Sequence, residues 1–230
     1  MPWNPPERLA SDRVALRPLG ARDVDVYARW FLEDPQLGVQ LGLDHDLDAA
    51  GVRALIRRSA EREASGEGLT RAIADADSDQ LLGALMLHSV SWENSRCEVG
   101  FVVAPQARGQ GIGRDGVALV LDWVFSELSF ARVELTTTPD NEAAKGLAAR
   151  LGFTMEGTLR SRDVERGRRV DIVWFGLLRE DWRAAPSTRV ASVCDGDPAA
   201  SALGPGQHAD RPGGAVSRLG EGLSPSSRPG

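Results

Sequence analysis

The sequence predicts an α/β protein of the α+β type, with one mixed sheet made of an antiparallel meander followed by a β-α-β crossover. Three observations carry this. Period-two segments at 69–74, 81–90 and 96–103 are joined by short polar turns, and parallel neighbours would need long crossovers instead. A strongly amphipathic helix then separates the third segment from a further strand at 132–137, as a crossover requires. No repeating series of strands and helices follows, so a doubly wound parallel sheet is not expected.

Each element has its own local reason. In residues 13–18, Val14 and Leu16 alternate with charged or small residues and read as a strand. Val24, Tyr27, Ala28 and Phe31 fall at helical spacing, and the helix should end near Asp34-Pro35. A loop rich in acids (Asp44, Asp46, Asp48) follows, in which Asp48 can cap a second helix with the apolar face Val52, Leu55, Ile56 and Ala60. Beyond the meander, Val117, Val120, Leu121, Val124 and Leu128 keep the i, i+3, i+4, i+7 rhythm. Pro139-Asp140-Asn141-Glu142 opens a short helix whose apolar residues are Ala144, Leu147, Ala148 and Leu151, and Gly152 stands where a C-cap glycine belongs. Residues 153–159 and 170–178 are two closing strands, with the polar stretch 161–169 connecting them as a hairpin. The domain is expected to span 1–183. Residues 184–230 are rich in Gly, Pro, Ser and Ala, have no period, and read as a disordered tail.

At 230 residues, 42% hydrophobic and 26% charged, the chain has the balance of an ordinary globular protein. Its net charge of −6 and pI near 5.2 argue against nucleic acid and suit a cationic substrate better. No apolar run approaches a membrane span and no secretory start is visible, so no membrane partner and a cytoplasmic location are expected. Cys97 and Cys194 lie in such different contexts that no disulfide is expected. Three scattered histidines suggest no metal site.

Chemistry enters at the crossover. Residues 102–114 run from a strand into a glycine-rich turn that opens a helix, in the order Arg108-Gly109-Gln110-Gly111-Ile112-Gly113-Arg114. Helix N-termini present unpaired amides and partial positive charge, and glycines let the backbone approach an anion. A phosphate-bearing ligand is therefore expected. Gly111, Gly113 and Gly116 also match the dinucleotide fingerprint, with Glu134 near the offset of its ribose-binding acid. Context argues against that reading: the glycines follow an antiparallel meander, and Glu134 lies within its strand. A Walker A loop is excluded because no Gly-Lys-Ser/Thr follows.

Arg108-Gly109-Gln110-Gly111-Ile112-Gly113 resembles the Q/R-x-x-G-x-G/A signature of the GNAT superfamily of N-acetyltransferases. Asn141 followed by Leu147, Ala148 and Arg150-Leu151-Gly152-Phe153 is similar to that superfamily's second conserved segment. Glu156-Gly157, Arg160, Gly167, Asp171 and the run from Leu177 to Trp182 resemble its RimJ/RimL branch, which acetylates the N-termini of ribosomal proteins. The resemblance covers nearly all of residues 13–182. It implies the GNAT fold with a splayed central strand pair and acetyl-CoA as co-substrate, pantetheine lying in the gap. Backbone groups of Phe101, Val102 and Val103 would then bond the pantetheine amides, residues 108–114 would hold the pyrophosphate, and Asn141 would approach the cofactor arm. The implied partners are acetyl-CoA and an amine acceptor, with a homodimer left open.

Amine acetylation needs the amine neutral, although ordinary values near ~8 for an α-amino group and ~10 for lysine keep it mostly charged. A base must take that proton, and a backbone N–H freed from the ladder, such as that of Val102, would meet the developing oxyanion. Glu98 is the base candidate: a carboxylate within an apolar run on the strand entering the cofactor loop, where the family often places a glutamate. A solvated edge-strand glutamate or a structural ion pair is the alternative. His88 is the second candidate, and Cys97 reads as a buried small hydrophobe. Two departures from the family pattern stand out. The only tyrosine, Tyr27, lies in the first helix, and Ala144 occupies the position where the branch often has serine. The thiolate's proton donor is thus unassigned, and a non-catalytic acyl-CoA-binding domain is the rival reading. The acidic loop would either attract an ammonium group or simply cap a helix; Trp30 and Phe31 stand near it, available to line a pocket or pack the core.

Overall fold

Alternation and turn chemistry produce the expected elements in the expected order. The computed structural model describes residues 5–41, 43 and 45–182; the tail expected at 184–230, Cys194 and Asp44 lie outside them. Strand β1 (Leu9–Ala10) pairs with β2 (Val14–Pro18); helices α1 (Val24–Glu33), α2 (Leu37–Gln40) and α3 (Ala49–Ser65) follow. The meander is β3 (Leu69–Asp75), β4 (Leu81–Ser91) and β5 (Arg96–Val103). Helix α4 (Ile112–Ser126) crosses to β6 (Arg132–Thr137), then come α5 (Glu142–Arg150), β7 (Thr154–Glu165) and β8 (Arg168–Leu178). All eight strands form one sheet in the order β1-β2-β3-β4-β5-β6-β8-β7. Only β5 and β6 are parallel neighbours, as the single crossover demands.

The helices cover both faces. On one, Gly113 of α4 lies against Val103 and Phe101, and Gly116 against Ile73. A methyl group at Gly116 would sit 2.9 Å from the Ile73 side chain, so that glycine sets the helix-to-sheet distance. Helix α3 packs with α1 and β3 on the other face. Tyr27, Trp30 and Phe31 are core residues, with the Tyr27 ring 5.0 Å from Trp30 and 6.0 Å from Phe31. Arg17, which alternation leaves unassigned to any partner, is only 4% exposed because its guanidinium is bonded to Asp23 at 2.9 Å on both nitrogens and to Asp79 at 3.0 Å.

The caps follow the sequence. Asp48 accepts from the Gly51 amide at 2.8 Å and starts α3. Gly152 closes α5 in the left-handed region (φ 85°), with the Phe153 amide bonded back to the Ala148 carbonyl at 3.0 Å. Asp48→Ala is expected to cost about 1 kcal/mol, readable as a small fall in Tm, with CoA affinity unchanged.

Three features depart from the sequence expectation. Strand β1 and the single turn α2 are too short to show a period. The polar stretch 161–169 is not a loop: β7 and β8 run on as a two-stranded ribbon to a tight turn at Arg166-Gly167, both at positive φ (45° and 78°). Most of β7 faces solvent there, so no apolar alternation marks it as strand.

Candidate active site

The parallel pair opens as it leaves the sheet's base. Pairing between β5 and β6 covers Arg96–Arg132, Cys97–Val133 and Glu98–Glu134, although both strands continue beyond. Past Glu98 the strands diverge, and the gap forms a cleft of about 720 Å³. Its walls are residues 99–103 of β5, Leu135, Thr136 and Thr137 of β6, the turn leading into α4, and Asn141, Ala144 and Leu147 of α5.

Register decides which backbone groups face this gap. The Ala104 amide bonds to the Leu82 carbonyl at 2.8 Å, and bonded pairs recur every second residue in an antiparallel ladder. Ala84–Val102 is therefore also a bonded pair, and the N–H of Val102 is directed at β4. The groups directed away from β4, into the gap, belong to Val99, Phe101 and Val103; the Val103 carbonyl accepts from Arg108 on that side at 3.1 Å. The amide expected of Val102 is thus displaced by one residue, because strand polarity alternates and the sequence does not reveal which parity pairs with β4.

The turn at the cleft mouth holds Gly109 and Gly111 at φ 75° and 83°, in the left-handed region that glycine enters without strain. Gly111 is the N-cap of α4, so the amides of Ile112, Gly113 and Arg114 begin the helix without helical partners of their own. Arg13, just before β2, braces the turn, bonding to the Gln110 carbonyl at 2.7 Å and to Asp115, which Arg114 also contacts at 2.7 Å. The Gln110 side chain folds back to the Gln106 carbonyl. Arg108, expected as part of the phosphate cradle, turns its guanidinium to Asp34 at the end of α1. Burial would raise the Asp34 carboxyl, but the Arg108 bond and the Gln36 amide outweigh it and hold the group below its ordinary range. Gly113 likewise serves packing: a Cβ there would meet Val103 at 3.1 Å and Phe101 at 3.2 Å. Asn141 spends its side-chain oxygen capping α5, accepting from Ala144 at 3.1 Å. A long, phosphate-ended cofactor arm fits this arrangement of open cleft, free strand amides and glycine-rich helix start.

Glu98 stands where the sheet begins to open, 5% exposed. Thr136 of β6 donates to one carboxylate oxygen, and the Ser89 hydroxyl lies 3.5 Å from the other. His88 Nδ1 is 3.1 Å from that hydroxyl and 3.8 Å from the carboxylate. Successive strand residues normally face opposite sides. Here Ser89 has a positive φ of 51° and the register shifts after His88, so a bulge brings both side chains to Glu98. A smaller pocket of about 90 Å³ abuts this carboxylate on the side away from the glycine turn, and it shares Val99, Gly100, Phe101 and Thr136 with the cleft. One wall thus separates a carboxylate-floored pocket from a cofactor-sized cleft.

The other candidates resolve simply. Cys97 is buried, and burial pushes its thiol well up, so it offers no nucleophile. Tyr27 is fully buried in the core and its phenol is raised for the same reason. Ala144 lines the cleft without a hydroxyl. Glu134 is buried between Arg96 at 3.1 Å and Arg132 at 2.9 Å, a structural ion pair and not a ribose ligand. Asp46 is paired with Arg166 at 3.0 Å and Asp48 is a helix cap. Among the described residues no group of three or more His, Cys, Asp or Glu is placed to hold a metal ion, and no helix is long and apolar enough to cross a membrane. The sequence reading missed Thr136 and Ser89. Thr136 was legible in principle, two residues from Glu134 on the strand opposite Glu98.

A mixed sheet splayed at its parallel pair, with a glycine-rich helix start at the mouth of the gap, is the architecture of an acyl-CoA-dependent N-acyltransferase. The Acetyltransferase (GNAT) domain matches residues 13–154, and the chain belongs to that family. The uncharacterized N-acetyltransferase p20 of Bacillus licheniformis is 26% identical over 176 residues, covering 76% of this chain and 98% of p20. Spermidine N(1)-acetyltransferase of Escherichia coli (strain K12) is 25% identical over 185 residues, covering 76% and 91%. Mycobacterium smegmatis RimJ in complex with CoA-disulfide shares the fold at TM-score 0.71 and 23% identity, covering 78% of this chain and 91% of RimJ. The protein is an acetyl-CoA-dependent N-acetyltransferase that transfers acetyl groups to amines.

Proposed function

We propose that the smaller pocket receives a primary amine, on a peptide N-terminus or a small molecule, and that Glu98 removes its proton for direct attack on acetyl-CoA. The observation that carries this is the buried Glu98 carboxylate on the wall shared by pocket and cleft. Acetyl-CoA supplies the thioester carbonyl that accepts the amine. Phe101, Val102 and Val103 with Asn141 would flank the pantetheine arm. The backbone of Arg108, Gly109, Gln110, Gly111, Ile112, Gly113 and Arg114 would cradle the pyrophosphate, with Arg13 and Asp34 as its braces.

Within this reading, Thr136 and Ser89 fix the carboxylate's orientation, and Glu98 takes the proton that turns the ammonium into a free amine. The second N–H proton, made acidic as the new C–N bond forms, passes to solvent and offsets the proton that water gives the thiolate. The outward-facing amides of β5 are the donors available to the developing oxyanion. Breaking of the C–S bond would release the thiolate into the cleft. An ordinary thiol value near ~8.5 makes that departure feasible with water as the eventual proton donor, which agrees with Ala144 in place of a hydroxyl residue. The test is direct. Incubated with acetyl-CoA and a panel of amines and peptides, the full chain should release free thiol in an amine-dependent way. Tight CoA binding without amine-dependent release would overturn the transfer reading.

A further inference from the structure

The amine pocket carries a cation at the end opposite Glu98. Arg62, in the last turn of α3, lines it, and its guanidinium lies over Gly68, where a Cβ would come within 3.4 Å of Nε. Among the described residues its guanidinium makes one hydrogen bond, a long one of 3.4 Å to the Glu67 carbonyl. Neighbouring arginines are differently placed: Arg71 holds Glu63 with two bonds of 2.7 and 2.9 Å, and Arg108 holds Asp34. Of the two acids flanking Arg62 in sequence, Glu63 is engaged by Arg71 and Glu61 lies 4.0 Å from Arg57. His88 pairs with Glu98 across β4 and β5, and Gly68, just before β3, lies beside the Leu87 carbonyl one residue beyond the Leu69–Leu87 pair. With strands about 4.8 Å apart, the backbones of Gly68 and Glu98 are separated by roughly 10 Å. Arg62 and Glu98 both line the pocket, the His88 ring lies between their rows, and Leu69, Thr70, Met86 and Phe101 complete the wall.

We infer that the acceptor is an amino-carboxylate, its primary amine at Glu98 and its carboxylate bound by Arg62 a short apolar spacer away. This rests on the amine-acetylation reading above and names the substrate class of that site. A guanidinium recognises a planar carboxylate through paired donors. A polyamine would instead set a second ammonium group against it. The carboxylate could belong to a free ω-amino acid or to an acidic side chain just after a peptide N-terminus.

The experiment uses the full chain saturated with CoA and compares matched acceptors. β-Alanine, γ-aminobutyrate and δ-aminovalerate are each paired with their carboxamides, and a short peptide with aspartate in second position is paired with its asparagine form. Calorimetry reads binding; thiol release from acetyl-CoA is followed in parallel. In the wild type, the carboxylate of at least one pair should bind on the order of 10- to 100-fold more tightly than its amide, the range for a charge-assisted pair. Arg62→Met should bring that ratio close to one with amide binding, CoA affinity and Tm little changed, and Arg62→Lys should restore part of it. Preference among the ω-amino acids assigns a free amino acid; preference confined to the peptide pair assigns an acidic side chain. A wild-type ratio near one, a ratio unchanged in Arg62→Met, or a preference for diamines overturns the inference while transfer stands. An Arg62-dependent preference in binding, with no thiol released from any acceptor, keeps the inference and overturns the transfer reading instead.

Discussion

Glu98→Gln is expected to lower turnover by roughly 10²–10⁴, the usual contribution of a general base. The amide keeps the size of the carboxylate, can still accept from Thr136, and can donate toward Ser89, so the fold should hold. Acetyl-CoA affinity should hardly move, because the side chain faces the smaller pocket. The pH dependence separates catalysis from structure. At neutral pH the amine is mostly charged and needs a base. As pH rises toward the amine's own pKa, ~8 for an α-amino group and ~10 for a lysine-like one, free amine accumulates and the defect should shrink. If Glu98 served only as a structural partner of Thr136 and Ser89, the variant would melt lower and keep the shape of the wild-type profile. Near-wild-type turnover at pH 7 in a well-folded variant rules Glu98 out as base, and His88, 3.8 Å away, is then next in line.

Gly111→Asp should weaken CoA binding by about two to three orders of magnitude. Two like charges ~4 Å apart repel by about 4 kcal/mol at an effective dielectric of 20, and Gly111 is the residue from which α4 starts at the cleft mouth. The site suits such a test because a Cβ there meets only side-chain nitrogens of Arg13 and Arg114, at 3.5 and 3.7 Å. Its φ of 83° is the kind of strained position that aspartate and asparagine tolerate better than most residues. Gly111→Asn is therefore the control, with the same strain and no charge. Affinity retained in the asparagine form and lost in the aspartate form identifies an anion cradle. Equal losses in both would point to shape, and full affinity in a folded aspartate form would remove the pyrophosphate from this turn. Gly113 gives a less clean test, since a side chain there crowds Val103 and Phe101 as well as the turn.

Much of the cofactor side was legible in the chain because its signals are local. Glycines at 109, 111 and 113 before an apolar helical stripe already describe a helix start with exposed amides, and Asn141 and Gly152 mark the two ends of α5 by capping chemistry alone. Even so, the individual glycines were not equivalent. Gly109 and Gly111 answer to backbone conformation, whereas Gly113 and Gly116 answer to residues of β5 and β3 far away in sequence.

By itself the sequence determined the order of strands and helices apart from β1 and α2, the antiparallel meander, the single crossover and the position of the glycine turn. Each depends on a period or a cap within a few residues. Tertiary structure decided that pairing of β5 with β6 stops at Glu98, that the amides of Phe101 and Val103 are directed into the gap and that of Val102 at β4, and that Arg108 turns to Asp34. It also decided that Thr136 and a bulge at Ser89 surround Glu98, and that Arg62 lines the same pocket. These are matters of register and of which charges meet across the sheet. A one-residue shift in pairing would reverse every facing, and no pattern within a single strand records which register its neighbours adopt.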